Sequence, residues 1–273
     1  MNCKKAFTHG GLFHADDVFS TALLKYLYPE IEVIRGYQVP EDFDGIVYDI
    51  GLGKYDHHQA DRRVRDNGIP YAAFGLLWEE FGAGIVGAKE AKKFDEEFIQ
   101  PLDLSDNTGK MNLLSLTISD RNPNWKESDV DGNERFEEAV AFAGEVLKYR
   151  FAQILAEKEA YQQVQECARN AKNKVMFLEK VMPWRDAVKG FDCEYVIYPS
   201  LRGGYNIQGV PKEDGDGLEL KRPFPEAWRG YRSEELQKIT GIQGISFCHA
   251  AGFLCAADTL DVAYEVAKKA MES

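Results

Sequence analysis

The chain has 273 residues, 44% of them apolar and 29% charged, and a formal net charge of −12. That length holds two ordinary domains or one large one, and the balance is globular rather than disordered. The acidity disfavours long duplex DNA, which is held by many Lys and Arg contacts, and no apolar run is long enough to span a bilayer.

The opening MNCKKAFTH leaves no room for an apolar signal core, so a cytoplasmic location is expected. Cys3, Cys167, Cys193, Cys248 and Cys255 form no CxxC pair, and their odd number predicts free thiols in a reducing compartment. Residues 6–8 read as the end of a strand. Residues 16–28 read as a helix in which Val18, Ala22 and Leu23 share a face and Pro29 is the stop. Residues 31–34 and 45–50 read as two more strands. Such alternation predicts an α/β fold with a parallel sheet flanked by helices. Ligands in these folds sit at the carboxyl ends of the strands, where His9 and Asp49 fall. Over residues 134–172, Phe136, Val140, Ala143, Leu147, Phe151, Ile154, Tyr161, Val164 and Ala168 recur near the helical period and predict one long helix. Beyond it, residues 175–178, 195–198, 205–210 and 245–248 read as strands between loops rich in glycine, proline and charge. Asp258 is the expected cap of a last helix running to residue 271. The change of texture places a boundary near residues 170–174. It divides the chain into domain 1–172, which ends in the long helix as connector, and a smaller α+β domain, 173–273.

Four clusters carry chemistry. THGGLFHADD holds His9, His14, Asp16 and Asp17; VYDIG holds Asp49; YDHHQ holds Asp56, His57 and His58; LDLSDNTG holds Asp103 and Asp106. Four of the five histidines lie in the first 58 residues, and His14, His57 and His58 each stand within two places of an aspartate, so scatter is a poor explanation. Imidazole with carboxylate suits Mn, Fe or Zn rather than Ca or Mg alone. A carboxylate can bridge two cations ~3.5–4 Å apart, and such a pair activates water and clamps a phosphoryl group. Asp49, alone at a strand end, is the natural bridge.

The Asp56-His57-His58 triplet, after a strand ending in Asp49 and a His-rich opening, resembles the DHH phosphoesterase superfamily. The whole ordered series resembles its Myg-type branch, named for melanocyte proliferating gene one. THGGLFHADDV, VYDIG, YDHHQ and SDNTG carry the likeness in the first part. VMPWRDAV, YVIYP, YNIQGVP, KRPFPEAWRGYRSEEL and FCHAAGF carry it in the second. The resemblance implies a DHH-type N-terminal sheet domain and a two-metal phosphodiesterase, a 3′–5′ exonuclease on RNA or short oligonucleotides, with Mn²⁺ the expected ion. It implies that His9 and His14 bind one metal, that Asp16, His57 and Asp106 bind the other, and that Asp49 bridges. His58 would face the substrate phosphate, and Asp56 would orient an imidazole. The superfamily opens with H-x3-D-x-D, whereas this chain has one more residue and His14 in place of an aspartate, which leaves the metal open. Asp103 and Asp106 both fall near the fourth motif; Asp106, just before Asn107 and Gly109, is preferred.

The second half is implied to be the substrate domain. There His249, in FCHAAG, is expected to assist catalysis and contact substrate, and Arg222 and Arg229, near Trp228, offer cations beside an aromatic. Two rivals remain. One is a small-molecule phosphatase such as a manganese pyrophosphatase, against which KRPFPEAWRG, with its aromatic residues, favours a larger substrate. The other is a metal-binding scaffold without catalysis, disfavoured by the full set of ligand types.

Overall fold

The computed structural model describes residues 4–127, 129–213 and 219–273. The chain divides into two compact units, Met1–Leu155 and Ala156–Ser273.

In the first unit, β1 (Lys5–His9) is the middle strand of an all-parallel sheet, between β2 (Glu32–Gly36) and β3 (Ile46–Val47). Ala6, Phe7 and Thr8 are all buried, the pattern of a strand covered on both faces. Helix α1 (Ala15–Leu27) buries every residue of its first ten. Four more helices follow: α2 (Ala73–Val86), α3 (Ala88–Phe94), α4 (Gln100–Thr108) and α5 (Leu113–Ser119). A π-turn, Asp95–Ile99, joins α3 to α4. Helix α6 (Gly132–Arg169) sends Phe136, Ala139, Val140, Ala143, Leu147 and Phe151 into this unit's core, three to four residues apart along one stripe. Trp78 stacks on Phe151 there, with ring centres 5.4 Å apart.

The second unit is built on a mixed five-stranded sheet of β4 (Val175–Phe177), β5 (Tyr195–Pro199), β6 (Tyr205–Gly209), β7 (Ile245–Cys248) and β8 (Leu254–Ala257). Its order is β4-β5-β6-β8-β7, and only the β4–β5 pairing is parallel. Helices α7 (Ser233–Thr240) and α8 (Leu260–Glu272) complete the unit, and Trp228, in a 3₁₀ turn, is core. The molecule is thus of mixed α/β type, as its alternating pattern predicts.

Two local expectations are corrected. The third strand stops at Val47 instead of residue 50, because Asp49 takes a left-handed φ of 57° that no strand continues through. The cap of α8 is Thr259, not Asp258: the Thr259 side chain accepts the Val262 N–H at 3.3 Å, while the Asp258 N–H is spent on Gly244 O. Cys167, Cys193, Cys248 and Cys255 are free thiols; Cys3 lies outside the described residues. Among the described residues, no helix is long and apolar enough to cross a membrane.

Candidate metal centre

Parallel strands present their carboxyl ends together, so β1 and β3 deliver His9 and Asp49 to one edge of the sheet. His9 Nε2 lies 3.3 Å from Asp49 Oδ2 and 3.3 Å from Asp17 Oδ2. The left-handed Asp49 turns the chain, and Gly51 at φ 87° and Leu52 at φ 55° continue the reversal. The Asp49 N–H then donates to Tyr55 O at 3.0 Å, which folds the Asp56-His57-His58 segment back over the strand end.

Asp56 organises that segment. Its Oδ2 accepts the Leu52 N–H at 2.6 Å, and its Oδ1 accepts the His57 N–H at 2.7 Å and the His58 N–H at 3.1 Å. Oδ1 also takes His58 Nδ1 at 2.7 Å. Burial would raise the Asp56 carboxyl, but these donors outweigh it and hold it below the usual range. The His58 side chain, 58% exposed, is left facing the cleft through Nε2.

Around His57 Nε2 three carboxylates converge: Asp49 Oδ1 at 3.2 Å, Asp106 Oδ2 at 3.4 Å and Asp16 Oδ2 at 3.8 Å. One ring nitrogen donates at most one hydrogen bond, so hydrogen bonding alone does not account for the convergence. Ligand atoms held ~2.0–2.2 Å from one ion lie ~3–3.5 Å from each other, which is close to the spacing found. On its other side, His57 Nδ1 faces Asn107 Oδ1 at 3.3 Å. The Asn107 amide cannot be reversed, because its Nδ2 donates to Tyr71 O at 3.1 Å and Asp103 O at 2.9 Å. Oδ1 is therefore an acceptor and Nδ1 carries a proton; Nε2 would offer its lone pair to a cation and, without one, a second proton to Asp49.

Asp16 is clamped on the first turn of α2, where its two oxygens accept the Ala73 and Phe74 N–H groups at 2.8 and 2.7 Å. Helix α2 has no capping side chain of its own, so Asp16 fills that role from α1. Asp103 is committed elsewhere. Its Oδ2 lies 2.8 Å from Arg65 Nη2, and Arg65 also bonds Asp95 at 2.6 and 3.0 Å. Of the two fourth-motif aspartates, Asp106 is the one at the histidine cluster.

The charges are unbalanced. Burial and then the neighbouring Asp49, Asp106 and Asp103 carboxylates push Asp16 well above the usual range. Burial takes Asp17 up to about 7 despite His9. Asp106 is raised by burial and by Asp49. Asp49 itself, against the effect of burial, is held down to about 2 by hydrogen bonds from His57 and His9. Burial works against the charged form of His9, yet Asp49 and Asp17 raise it to about 9. Asp17 Oδ2 is buried without a hydrogen-bond partner, the nearby His9 nitrogen being outside bonding geometry. Buried carboxylates that repel one another, an orphaned oxygen and mixed nitrogen and oxygen donors fit divalent cations. Three compact donor groups could hold them: Asp16 with His57 and Asp106; His9 with Asp17 and Asp49; and Asp49 with His57 and His58. Asp49 belongs to two of these groups and reaches both His9 and His57.

Around this cluster lies an open cleft of about 920 Å³, lined by His9, His14, Asp49, His57, His58 and Asp106 among others. His14 stands at the helix start with its ring centre 6.0 Å from that of His9; it faces the cleft without joining a compact group. Asp17, to which the resemblance gives no role, sits fully buried against His9 and accepts the His14 N–H at 2.8 Å. Asn107 escaped the sequence reading altogether, since an amide is not a usual metal ligand.

In the second unit, the Ala251 N–H donates to His249 Nδ1 at 3.1 Å, which puts the neutral ring's proton on Nε2. Arg229 Nε donates to Phe224 O at 2.9 Å and its guanidinium packs against Gly252, where a Cβ would come within 2.5 Å of it. The Arg222 guanidinium is already paired with Glu194.

Comparison with known proteins agrees with the ordered motifs. The MYG1_exonuc family model, described as "Uncharacterised protein family (UPF0160)", matches residues 5–271. The chain is 28% identical to the Homo sapiens protein named MYG1 exonuclease, over 96% of this chain and 84% of that one. It is 29% identical to the Bos taurus protein of the same name, over 96% and 83%. It is 28% identical to the MYG1 protein of Schizosaccharomyces pombe, over 99% and 98%. No solved structure matches it significantly. With the family model spanning nearly its whole length, the chain belongs to the MYG1 (UPF0160) family.

Proposed function

We propose that this protein is a two-metal-dependent phosphodiesterase of DHH type, a 3′–5′ exonuclease acting on single-stranded RNA or short oligonucleotides. The observation that carries the reading is the ring of carboxylate oxygens 3.2 to 3.8 Å from His57 Nε2, a spacing suited to ligands around a cation. Relatives named MYG1 exonuclease support the reaction class. Asp16, His57 and Asp106 would hold one ion and His9 and His14 the other, with Asp49 within reach of both groups. Mn²⁺ suits the imidazoles. Such a pair of ions supplies charge neutralisation and a reactive water.

The remaining work falls to the chain. Asn107 keeps the His57 lone pair on the ligand side. Asp17 backs His9 and fixes the turn that carries His14. Asp56 holds His58 by its Nδ1–H, which leaves Nε2 to meet the phosphate; as an imidazolium the ring would give its Nε2 proton to the leaving 3′ oxygen as the P–O bond breaks and regain one from the attacking water. We assign residues 1–172 to this chemistry and residues 173–273 to substrate binding. His249 is the donor in that half, with Arg229 and Arg222 as cations; the Glu194 partner of Arg222 makes it the weaker. Free thiols at Cys167, Cys193, Cys248 and Cys255 suit a cytoplasmic setting.

The test is a hydrolysis panel. Metal-depleted protein, with and without Mn²⁺, is incubated with pyrophosphate, dinucleotides, and 5′-labelled oligoribonucleotides and oligodeoxynucleotides. Stepwise shortening of the oligoribonucleotide from its 3′ end, dependent on Mn²⁺, is expected. Turnover of pyrophosphate alone would give the site to a small-molecule phosphatase.

A further inference from the structure

Three arginines stand close together in the segment after the Asp56-His57-His58 triplet, and their partners differ. Arg63 makes a two-pronged pair with Glu79 at 2.6 and 2.8 Å. Arg65 is buried between Asp95 and Asp103. Arg62 alone turns to the cleft, where among the described residues it is the only lysine or arginine lining a wall otherwise rich in aspartate and histidine. No carboxylate of the described residues lies within ion-pair distance of it. The one hydrogen bond of its guanidinium among the described residues is to a neutral group: Nη1 donates to Asn107 Oδ1 at 3.2 Å.

That anchor is unusual for its surroundings. A flexible guanidinium in a cleft it shares with Asp49, Asp56 and Asp106 would ordinarily pair with one of them. The Asn107 oxygen, fixed by the two bonds of its own Nδ2, holds Arg62 in place without neutralising it. The same oxygen faces His57 Nδ1 at 3.3 Å. One amide thus ties the cation at the rim to the imidazole at the centre of the carboxylate cluster. The remaining N–H groups of Arg62 keep the planar fork that matches two oxygens of a phosphate.

We propose that Arg62 is the phosphate-binding cation of this cleft, gripping the non-bridging oxygens of the substrate phosphate beside the metal cluster and selecting phosphorylated substrates. The inference rests on the phosphoesterase reading of the same cleft. It places an anion grip within the first unit itself, apart from the arginines of the second.

The test measures inorganic phosphate binding by calorimetry to Mn²⁺-loaded wild-type protein and to R62Q, R62K and R63Q, after the metal content of each has been determined. R62Q should keep its metal and bind phosphate about tenfold or more weakly, the scale of losing charge-assisted hydrogen bonds. R62K, with the charge but not the fork, should recover part of that loss, and R63Q should stay within about twofold of wild type, since Arg63 is spent on Glu79. Wild-type affinity in R62Q with metal bound, or no phosphate binding by wild-type protein at all, would overturn the role of Arg62. Failure of wild-type protein to take up metal would instead overturn the metal-site reading beneath it.

Discussion

Asn107 sets the tautomer of His57: its Oδ1 lies 3.3 Å from His57 Nδ1, and two carbonyls hold the amide in the one orientation that makes this oxygen an acceptor. Partners of this kind are worth about 10–100-fold in metal affinity. Asn107→Leu, which keeps the volume and removes the acceptor, should weaken Mn²⁺ binding by that factor. Calorimetric titration of the metal-depleted variant checks it, and an unchanged dissociation constant would show that the ring needs no such support.

Asp49 combines a left-handed backbone with contacts to both His9 and His57. Asn tolerates that backbone as well as Asp does, so Asp49→Asn separates charge from fold. We expect hydrolysis to fall by about a hundredfold or more, metal content to drop, and the far-ultraviolet dichroism to stay native. Asp49→Val should in addition lower stability, because a β-branched residue is strained at φ 57°. Full turnover by Asp49→Asn would move the bridging role to another residue.

His14 and Asp17 make opposite predictions about the second ion. If His14 is the ligand and Asp17 its support, His14→Ala should remove one Mn²⁺ per chain while leaving stability nearly unchanged, for the ring is exposed. Asp17→Asn should retain the ion with weaker affinity. Metal analysis of both variants decides, and loss of the ion only in Asp17→Asn would exchange their roles.

The metal-free protein should become less stable as pH rises. Asp17, ordinarily near 3.8, is raised to about 7, so the folded state binds the extra proton between those values and stability falls across that window. His9, ordinarily near 6.5, is raised to about 9; its contribution is fully present below 6.5 and is lost as pH climbs through 9. Asp49, lowered to about 2, acts the other way but only below pH 3.8. The melting temperature without metal should therefore decline from about pH 5 to pH 9. Mn²⁺ binding at pH 7 should release protons, visible as a dependence of the calorimetric heat on the buffer. Constant melting temperature over that range in metal-free protein would contradict the charge arrangement.

Two glycines of α2 test the packing behind the site. A Cβ on Gly75 would come within 2.1 Å of Asp103 Oδ2 and 2.6 Å of Arg65 Nη2, so Gly75→Ala should cost about 1–3 kcal/mol by overpacking a buried ion pair. Gly84, with nothing within 4 Å, should instead gain about 0.5–1 kcal/mol on substitution by alanine in a helix. Denaturant unfolding of the two variants measures both signs.

Much of the site could be read from the sequence because its parts announce themselves locally. His9 ends one strand and Asp49 stands two places past another, both strands with visible apolar runs, and His57 and His58 follow Asp56 in one triplet. The position of Asp17 hid it: an acid in the first turn of a helix has an ordinary reading as a capping partner, which it also is. The Arg65–Asp103 pair depends on residues 38 places apart meeting over a glycine, a contact that no spacing rule reveals. Helices α2 to α5 were not foreseen. In α2, AFGLLWEEFGAGIV, buried residues run unbroken from Ala73 to Trp78 and two glycines interrupt the rest, so no amphipathic period emerges. The expected third strand runs three residues too far because the apolar Ile50 masks the turn made at Asp49.

A role for Asp49 in joining two cation sites fixes how many ions the protein binds. Native mass spectrometry of metal-depleted protein titrated with Mn²⁺ should show two ions per chain for wild type and fewer for Asp49→Asn. Wild-type protein that takes up no ion, or stops at one under saturating Mn²⁺, would contradict it.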